Sequence, residues 1–576
     1  MSTKSDNSRL LLPSAILLAC LAAYAGTLTL RGFIYDDRGL IGGNPLLGQG
    51  LRAIPRLLST GYWEAIEGSA AKVQEYRPVL MLSFLLQTAT TGLAAPPMHA
   101  VNLLLHMAVC LALWRLLKLK MAPAAAGAAA LVYAVMPVHT EAVTMLTGRS
   151  ELLSAAFILA SWLCLDENDG APRLGAGVAL YVCALLTKES SILLPVLLAL
   201  NDWVFGGETP WPPHRRRVQA LLWGASGGYF LLRLAFLSRA IHGGAPYFGS
   251  GRLVAALTLS RFWLAHYLWP SLSGAGLCTD YSRPLIPDAS PYSLVSWVCL
   301  AAVAAAFGAA AVSLLRDRRP WAFWILGPCL FLLPTSHLIF PLDSIGAQRF
   351  LYMPTIGLAV GLGHLYARLK NRRRLPALLA AAVLIGWYAG TAWRRNRIWR
   401  SQHDFFAAAV SCNPVSAKSW GALGASLLER GEIEAGKAHL ARAMRMDPRR
   451  TSPYYNLARL AWEQHDAPEA ERLIREALRL RPDSPDALSL LALACESQGR
   501  MDEALALLKK TLVIRPLDPM AEFNLGRHFL LRRKPELAAP HFARFLELAP
   551  DDPDAARVER LLGEIAPKRE APTHGD

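Results

Sequence analysis

The chain has 576 residues, of which 53% are hydrophobic and 18% are charged, and its mean hydropathy is +0.27. This composition is too apolar for one soluble domain of that length, so most of the chain is expected to lie in a membrane. The formal net charge of +16 does not indicate nucleic-acid binding, because Lys and Arg form short clusters between apolar runs. The nine cysteines include no Cys-x-x-Cys pair, so neither a zinc site nor a disulfide framework is predicted.

The first apolar segment, from Leu10 to Leu30, is long enough to cross a bilayer at ~1.5 Å per residue. Lys4 and Arg9 precede it and predict that its start faces the cytoplasm. The run Ala23-Tyr24-Ala25 resembles a signal-peptidase site, so removal of the segment stays an alternative to a retained first span over residues 1–30.

The motif Phe33-Ile34-Tyr35-Asp36-Asp37 follows this segment directly. Adjacent carboxylates at the mouth of a membrane span indicate a functional site, although acidic loop residues are more often simply solvated. The motif opens a long loop over residues 31–97, which is predicted to be external. The apolar stretch 78–95 within it either crosses the membrane or lies along the interface as an amphipathic helix.

The basic clusters near 115–120, 215–217, 316–319 and 372–374 predict the topology of the following region, residues 98–393. All of them face the cytoplasm if 78–95 lies flat outside, 256–272 forms a second flat or a re-entrant helix, and ten spans cross between residues 98 and 393. Eleven spans, counting the first, place the connecting helix 394–416 and everything after it outside. The cluster Arg394, Arg395, Arg397 and Arg400 opposes this count.

The same count gathers acids and cations on the external membrane face: Asp36, Asp37, Arg77, His139, Glu141, Lys188, Glu189, Asp280, Arg283 and Arg349. Each of these residues also has a structural explanation. Long cations can extend to the interface, and Glu189 can pair with its neighbour Lys188.

Five prolines recur at a constant interval of 34 residues: Pro414, Pro448, Pro482, Pro516 and Pro550. This period is the signature of tetratricopeptide repeats, which are paired helices. It predicts four repeats over residues 417–552 and a polar tail over residues 553–576. Stacked repeats form a concave surface suited to an extended peptide or another protein.

Several polar motifs precede the repeats in a fixed order. They are the acid pair, Glu75-Tyr76-Arg77-Pro78, Met136-Pro137-Val138-His139-Thr140-Glu141-Ala142-Val143, Gly148-Arg149-Ser150-Glu151-Leu152-Leu153, Thr187-Lys188-Glu189 and Gln348-Arg349-Phe350-Leu351-Tyr352-Met353-Pro354. With the repeats, this order resembles the transmembrane and tetratricopeptide-repeat-containing O-mannosyltransferases of the GT-C superfamily. The resemblance implies an all-α fold: a polytopic transmembrane bundle of GT-C type with about eleven spans, followed by a tetratricopeptide-repeat α-solenoid.

The resemblance also implies an activity, the inverting transfer of mannose or a related hexose from a polyprenyl- or dolichyl-phosphate donor to a hydroxyl group. Such a transfer needs a base for the acceptor proton, and similarity to the family nominates Asp37, with Asp36 as the alternate. A carboxylate beside an ionised neighbour has a raised pKa, which suits a base.

Cations are needed for the leaving lipid phosphate. Arg77 and Arg349 suit it because a guanidinium is a planar fork, and Lys188 adds a point charge. Tyr352 is expected to donate a further hydrogen bond, while His139 and Glu141 are expected to contact the acceptor or the sugar. A divalent cation held by Asp37 and Glu141 is conceivable, but their spacing does not require one.

The expected partners are the lipid-linked donor, membrane lipid and a protein acceptor bound through the repeats, with no nucleic acid. The expected location is a bacterial inner membrane with periplasmic repeats, or the endoplasmic reticulum membrane with lumenal repeats. Two other functions stay open: a non-catalytic membrane-anchored scaffold and a lipid-linked sugar transporter. A transporter is expected to show an internal repeat of its membrane half, and none is clear in the sequence.

Overall fold

The computed structural model describes residues 3–67, 75–166, 171–208, 211–236, 251–282, 285–337, 345–550 and 552–565. Every regular element in these ranges is a helix, which confirms the predicted all-helical class. Arg283 and residues 566–576 of the predicted polar tail lie outside the described residues. The chain divides into two compact units. The first comprises Met1–Asp37, Tyr76–Leu80 and Ala94–Ser416, and the second comprises Arg38–Glu75, Met81–Leu93 and Ala417–Asp576.

The first unit consists mainly of apolar helices. Its α-helices are Thr3–Tyr24, Ala95–Lys120, Pro123–Val135, Thr140–Thr144, Arg149–Asp166, Ala171–Leu185, Leu194–Phe205, Pro213–Phe236, Arg252–Phe262, Trp269–Ser273, Leu294–Asp317, Pro320–Cys329, Thr355–Arg372, Arg374–Asn396 and Gln402–Cys412. Small residues let some of these helices approach closely. A Cβ at Gly363 would lie 2.4 Å from the carbonyl oxygen of Ala125, so Thr355–Arg372 packs almost backbone to backbone on Pro123–Val135.

Four helical segments in the described residues are long and apolar enough to cross a membrane: Leu11–Thr29, Ala95–Lys120, Leu294–Asp317 and Arg374–Arg400. The segments Pro123–Val135 and Pro137–Thr144 meet at a bend of 47° and make a fifth if they are one span. The predicted number of about eleven spans is therefore wrong for the described part of the chain. The prediction that the repeats lie outside depended on an odd number of spans, so this argument for their location no longer holds.

The missing spans have two physical causes. Some apolar runs form helices too short to cross hydrocarbon, such as Ala171–Leu185 and Pro320–Cys329, because turns or prolines interrupt the helical hydrogen bonds. Others are long enough but carry several charges. The helix Arg149–Asp166 begins with Arg149 and Glu151, and Pro213–Phe236 contains a run of three arginines.

A disulfide joins Cys278, after the helix Trp269–Ser273, to Cys412 at the end of Gln402–Cys412, with the two Cα atoms 5.5 Å apart. The expectation that the cysteines form no disulfide is thus wrong for this pair. The two cysteines are 134 residues apart in the sequence, so only the packing of the bundle brings them together.

We expect the double substitution Cys278→Ala, Cys412→Ala to lower the melting temperature of the detergent-solubilised protein. The bridge closes a long loop, and loss of a native disulfide costs about 2–5 kcal/mol. The matched control is Cys299→Ala, which removes a free, half-buried cysteine and should change little. Nine alkylated cysteines in unreduced, denatured protein would contradict the bridge.

The second unit contains four consecutive helix pairs, followed by the helix Ala555–Ile565. The pairs are Ala417–Glu429 with Ile433–Met446, Thr451–Glu463 with Ala467–Leu480, Pro485–Ser497 with Met501–Ile514, and Pro519–Leu531 with Pro535–Leu548. Small buried residues at the helix contacts, such as Ala458, Ala470 and Ala477, let each pair pack closely. The unit also contains the short helices Pro45–Gly48, Ile54–Ser59 and Glu64–Glu67 and most of Pro78–Thr91.

Candidate active site

The acid motif is held in the first unit by aromatic packing. Ile34 is buried beside Trp399, and the ring of Tyr35 stacks on Phe405 at 5.0 Å between centroids. Tyr35 has a φ of 58°, a left-handed conformation that is uncommon for residues other than glycine. Such strain persists where surrounding contacts fix the backbone, and it frequently marks a functional segment.

The Asp37 side chain is 2% exposed, and both of its oxygens accept backbone hydrogen bonds. The N–H groups of Leu146 and Thr147 each donate to it at 2.8 Å. The turn that supplies these donors depends on Gly148, where a Cβ would lie 2.5 Å from the carbonyl oxygen of Ala142. Asp37 therefore fixes this turn against the acid motif.

Burial raises the pKa of Asp37 to about 7, although the two backbone N–H groups favour the ionised form. The folded chain then retains a proton that the unfolded chain releases near pH ~4. The resulting stabilisation is fully present below pH ~4 and is lost as the pH rises through about 7.

We expect the stability of the wild type to fall between these two pH values by on the order of 1 kcal/mol per pH unit more than that of Asp37→Asn, which has no proton to release. Melting curves of both proteins across this pH range measure the difference. Parallel pH profiles would show that Asp37 titrates normally. Asp317→Asn, at an exposed carboxylate, is the control and should follow the wild type.

Three cations predicted to bind phosphate each lie beside a carboxylate. Arg77 donates to Glu189 at 3.1 Å. Lys188 pairs with Glu151, and Arg349 pairs with Glu141. The Arg349 side chain is 27% exposed, more than the other two.

Two of these cations flank one aromatic ring, that of Phe350. The Lys188 ammonium lies 5.7 Å from the ring centre and the Arg349 guanidinium carbon lies 5.4 Å from it. Asp36 is half-buried, and its negative charge acts on Arg349. Burial lowers the pKa of Arg349, but the charges of Glu141 and Asp36 more than offset this, so the pKa is raised overall and the guanidinium stays charged.

Glu141 positions the Arg349 segment as well as pairing with it. Its second carboxylate oxygen accepts the backbone N–H groups of Gln348 and Arg349 at 2.8 and 3.2 Å. Glu141 therefore ties the bend Pro137–Thr144 to the turn Gln348–Leu351.

His139 and Tyr352 lie in a buried aromatic cluster and not among the charged groups. Neither side chain is exposed, and their ring centres are 4.8 Å apart. His139 Nε2 is 2.8 Å from Thr355 Oγ1, and the Tyr352 hydroxyl is 2.8 Å from His106 Nδ1. The side chains of His139 and Tyr352 thus contact other buried groups, and both support the segment that carries Arg349.

Two charged residues of the site were not among the predicted site residues, although the motif Gly148 to Leu153 contains both. Arg149 is 1% exposed and donates to Asn102 Oδ1 at 2.9 Å and to the Met98 carbonyl at 3.1 Å. Burial lowers its pKa, and the negative charge of Asp37 opposes that change. The second is Glu151, the partner of Lys188. Charged residues at the start of an apolar helix were the available signal.

A hard divalent cation between Asp37 and Glu141 is not favoured by the chemistry of the two carboxylates. The oxygens of Asp37 accept backbone N–H groups, and those of Glu141 accept N–H groups and a guanidinium. A cation would have to displace these donors.

Known proteins are similar to this chain both in the repeats and in the region that precedes them. A family model described as Tetratricopeptide repeat matches residues 455–519 and 506–553. The mouse protein named Protein O-mannosyl-transferase TMTC3 is 26% identical over 91% of this chain, and Drosophila melanogaster Tmtc1 is 27% identical over 75%. The chain spans 62% and 61% of the length of these two relatives. The resemblance inferred from the motifs is therefore confirmed: the chain contains tetratricopeptide repeats and is similar over most of its length to the TMTC protein O-mannosyl-transferases.

Proposed function

We propose that the chain is an integral-membrane glycosyltransferase of GT-C type that moves mannose or a related hexose from a polyprenyl-phosphate donor to a protein hydroxyl group, with inversion. The observation that carries this proposal is the pair of cations at Phe350, where Lys188 and Arg349 meet from distant motifs and the charge of Asp36 acts on Arg349. The names of the relatives support the reaction class.

Asp36 is the better candidate for the base, in preference to Asp37. A base must reach the acceptor hydroxyl, and Asp37 is buried with both oxygens engaged by backbone N–H groups. Asp36 is half-buried and its charge acts on Arg349. In this assignment Asp37 is a positioning residue that holds the acid motif on the turn at Leu146 and Thr147.

Arg349 is the principal candidate for the donor phosphate. A guanidinium has five N–H donors, and Glu141 accepts from Nη1 of Arg349, so the same group can also donate to an oxyanion. Lys188, which also lies beside the Phe350 ring, adds charge, and Arg77 beside Glu189 is a further candidate cation. Glu141, His139 and Tyr352 hold the Arg349 segment in place.

The disulfide supports an exported location for this site. Disulfides persist in oxidising compartments such as the bacterial periplasm and the lumen of the endoplasmic reticulum. Cys412 lies five residues before the first repeat helix, which begins at Ala417, with no candidate span between them. The repeats are accordingly proposed to be periplasmic in a bacterial inner membrane, or lumenal in the endoplasmic reticulum.

The test is transfer from a panel of radiolabelled polyprenyl-phosphate hexoses to exported protein, in membranes that contain the wild type or Asp36→Asn. Radioactive label that appears in protein with the wild type but not with Asp36→Asn supports the transferase function. A scaffold predicts no transfer from any donor. A transporter predicts movement of the labelled lipid across vesicles with no label in protein.

Deletion of residues 417–576 is expected to reduce modification of a protein acceptor several-fold more than that of a short hydroxyl peptide. Each repeat packs chiefly on its neighbours, and the concave face suits a protein acceptor. The two acceptors are compared at equal amounts of folded membrane protein. Equal losses would mean that the repeats support the membrane unit rather than bind the acceptor.

A further inference from the structure

Two cysteines and one histidine meet in the interior of the first unit. Cys20 lies on Thr3–Tyr24, and His106 and Cys110 lie one turn apart on Ala95–Lys120. None of the three side chains is exposed. Their sulfur and nitrogen ligand atoms all lie within 4.8 Å of one another. Among the described residues, no other group of three potential metal ligands is this close.

The spacing of two of these groups fits a single tetrahedral ion. Bonds of ~2.3 Å to sulfur and ~2.0 Å to nitrogen at a tetrahedral angle put the two ligand atoms ~3.5 Å apart. The Cys110 sulfur lies 3.7 Å from His106 Nε2. The pair is therefore already at the separation that a shared zinc ion needs.

The second nitrogen of His106 has the partner that a metal-bound histidine usually has. His106 Nδ1 lies 2.8 Å from the Tyr352 hydroxyl, so with Nε2 on a metal the Nδ1–H group donates to Tyr352. The Ala134 carbonyl oxygen, 3.1 Å from Nε2, loses that nitrogen as a donor when the metal binds.

We propose that Cys20, His106 and Cys110 bind a structural Zn²⁺ ion that joins the first two long helices. The two thiols each lose a proton to solvent on binding, so two thiolates and Zn²⁺ form a neutral group. Neutrality favours Zn²⁺ over Cu⁺, which would leave a net negative charge in an apolar interior. Through Tyr352, the ion also steadies the segment that carries Arg349. The argument for this metal site does not rest on the proposed transferase activity.

The test measures zinc in the full-length protein purified in detergent from cells grown with zinc. We expect about one zinc ion per chain in the wild type and background content in Cys20→Ser and Cys110→Ser, because a hydroxyl is a poor soft-metal ligand. Cys183→Ser and Cys329→Ser, at free half-buried cysteines, are the matched controls and should keep the ion.

A second measurement on the wild type does not depend on how the variants fold. Reduced, metal-free protein is titrated with Co²⁺, and thiolate ligation gives a charge-transfer absorption band in the near ultraviolet. We expect this band, and its loss on addition of Zn²⁺. Wild-type protein without zinc that also gives no band, or Cys20→Ser and Cys110→Ser variants that bind as much metal as the wild type, would overturn the proposal.

Discussion

Asp36→Asn is expected to lower kcat for sugar transfer by about 100-fold or more with little change in the KM for the donor. An amide of the same shape cannot take the acceptor proton, and the loss falls on the transition state because the proton moves only there. The measurement is single-substrate kinetics with a labelled polyprenyl-phosphate hexose and a saturating hydroxyl peptide.

Asp37→Asn is the comparison that separates the two acids. An asparagine side chain has one carbonyl oxygen, which replaces only one of the two acceptors that Asp37 offers to backbone N–H groups. Its NH₂ group faces the second N–H, and a buried donor left without an acceptor costs about 1–3 kcal/mol. We therefore expect a lower melting temperature from Asp37→Asn and a smaller loss of activity per folded molecule. If Asp37→Asn melts normally and loses kcat as severely as Asp36→Asn should, Asp37 is the base and Asp36 is not.

Arg349→Ala is expected to raise the donor KM by about 10-fold or more, because a charge-assisted hydrogen bond to a phosphate contributes about 1.5–3 kcal/mol. The donor phosphate is charged before the reaction begins, so the loss appears in ground-state binding as well as in kcat. Arg349→Lys should recover only part of the affinity, since an ammonium keeps the charge but loses the planar fork.

The control for Arg349 must separate phosphate binding from the pairing with Glu141. Glu141→Gln removes the charge of the partner but keeps the Arg349 guanidinium, so it should lower the melting temperature and raise the donor KM less than Arg349→Ala does. Arg319→Ala removes an exposed arginine that pairs with Asp317 and should leave both constants unchanged. A donor KM that is the same for Arg349→Ala and the wild type would remove Arg349 from the phosphate site.

Local sequence patterns were sufficient to predict those elements whose structure depends on their own residues and on near neighbours in the chain. The interval of 34 residues between prolines determined the repeats, because every repeat buries its apolar face on the next one. Apolar length determined the first span and the span at Ala95–Lys120. The predicted number of spans was too high because short proline-broken helices and charged apolar helices have compositions close to those of true spans.

The sequence by itself determined the helical class, the repeats and the set of polar motifs that the site draws on. Only the tertiary structure decided which motif residues meet. It paired Arg77, Lys188 and Arg349 with Glu189, Glu151 and Glu141. It placed His139 and Tyr352 in a buried aromatic cluster, and it joined Cys278 to Cys412. The physical reason is range: periodicity reflects contacts within a few turns of helix, whereas partners such as Glu141 and Arg349 lie 208 residues apart and meet only through packing of the bundle.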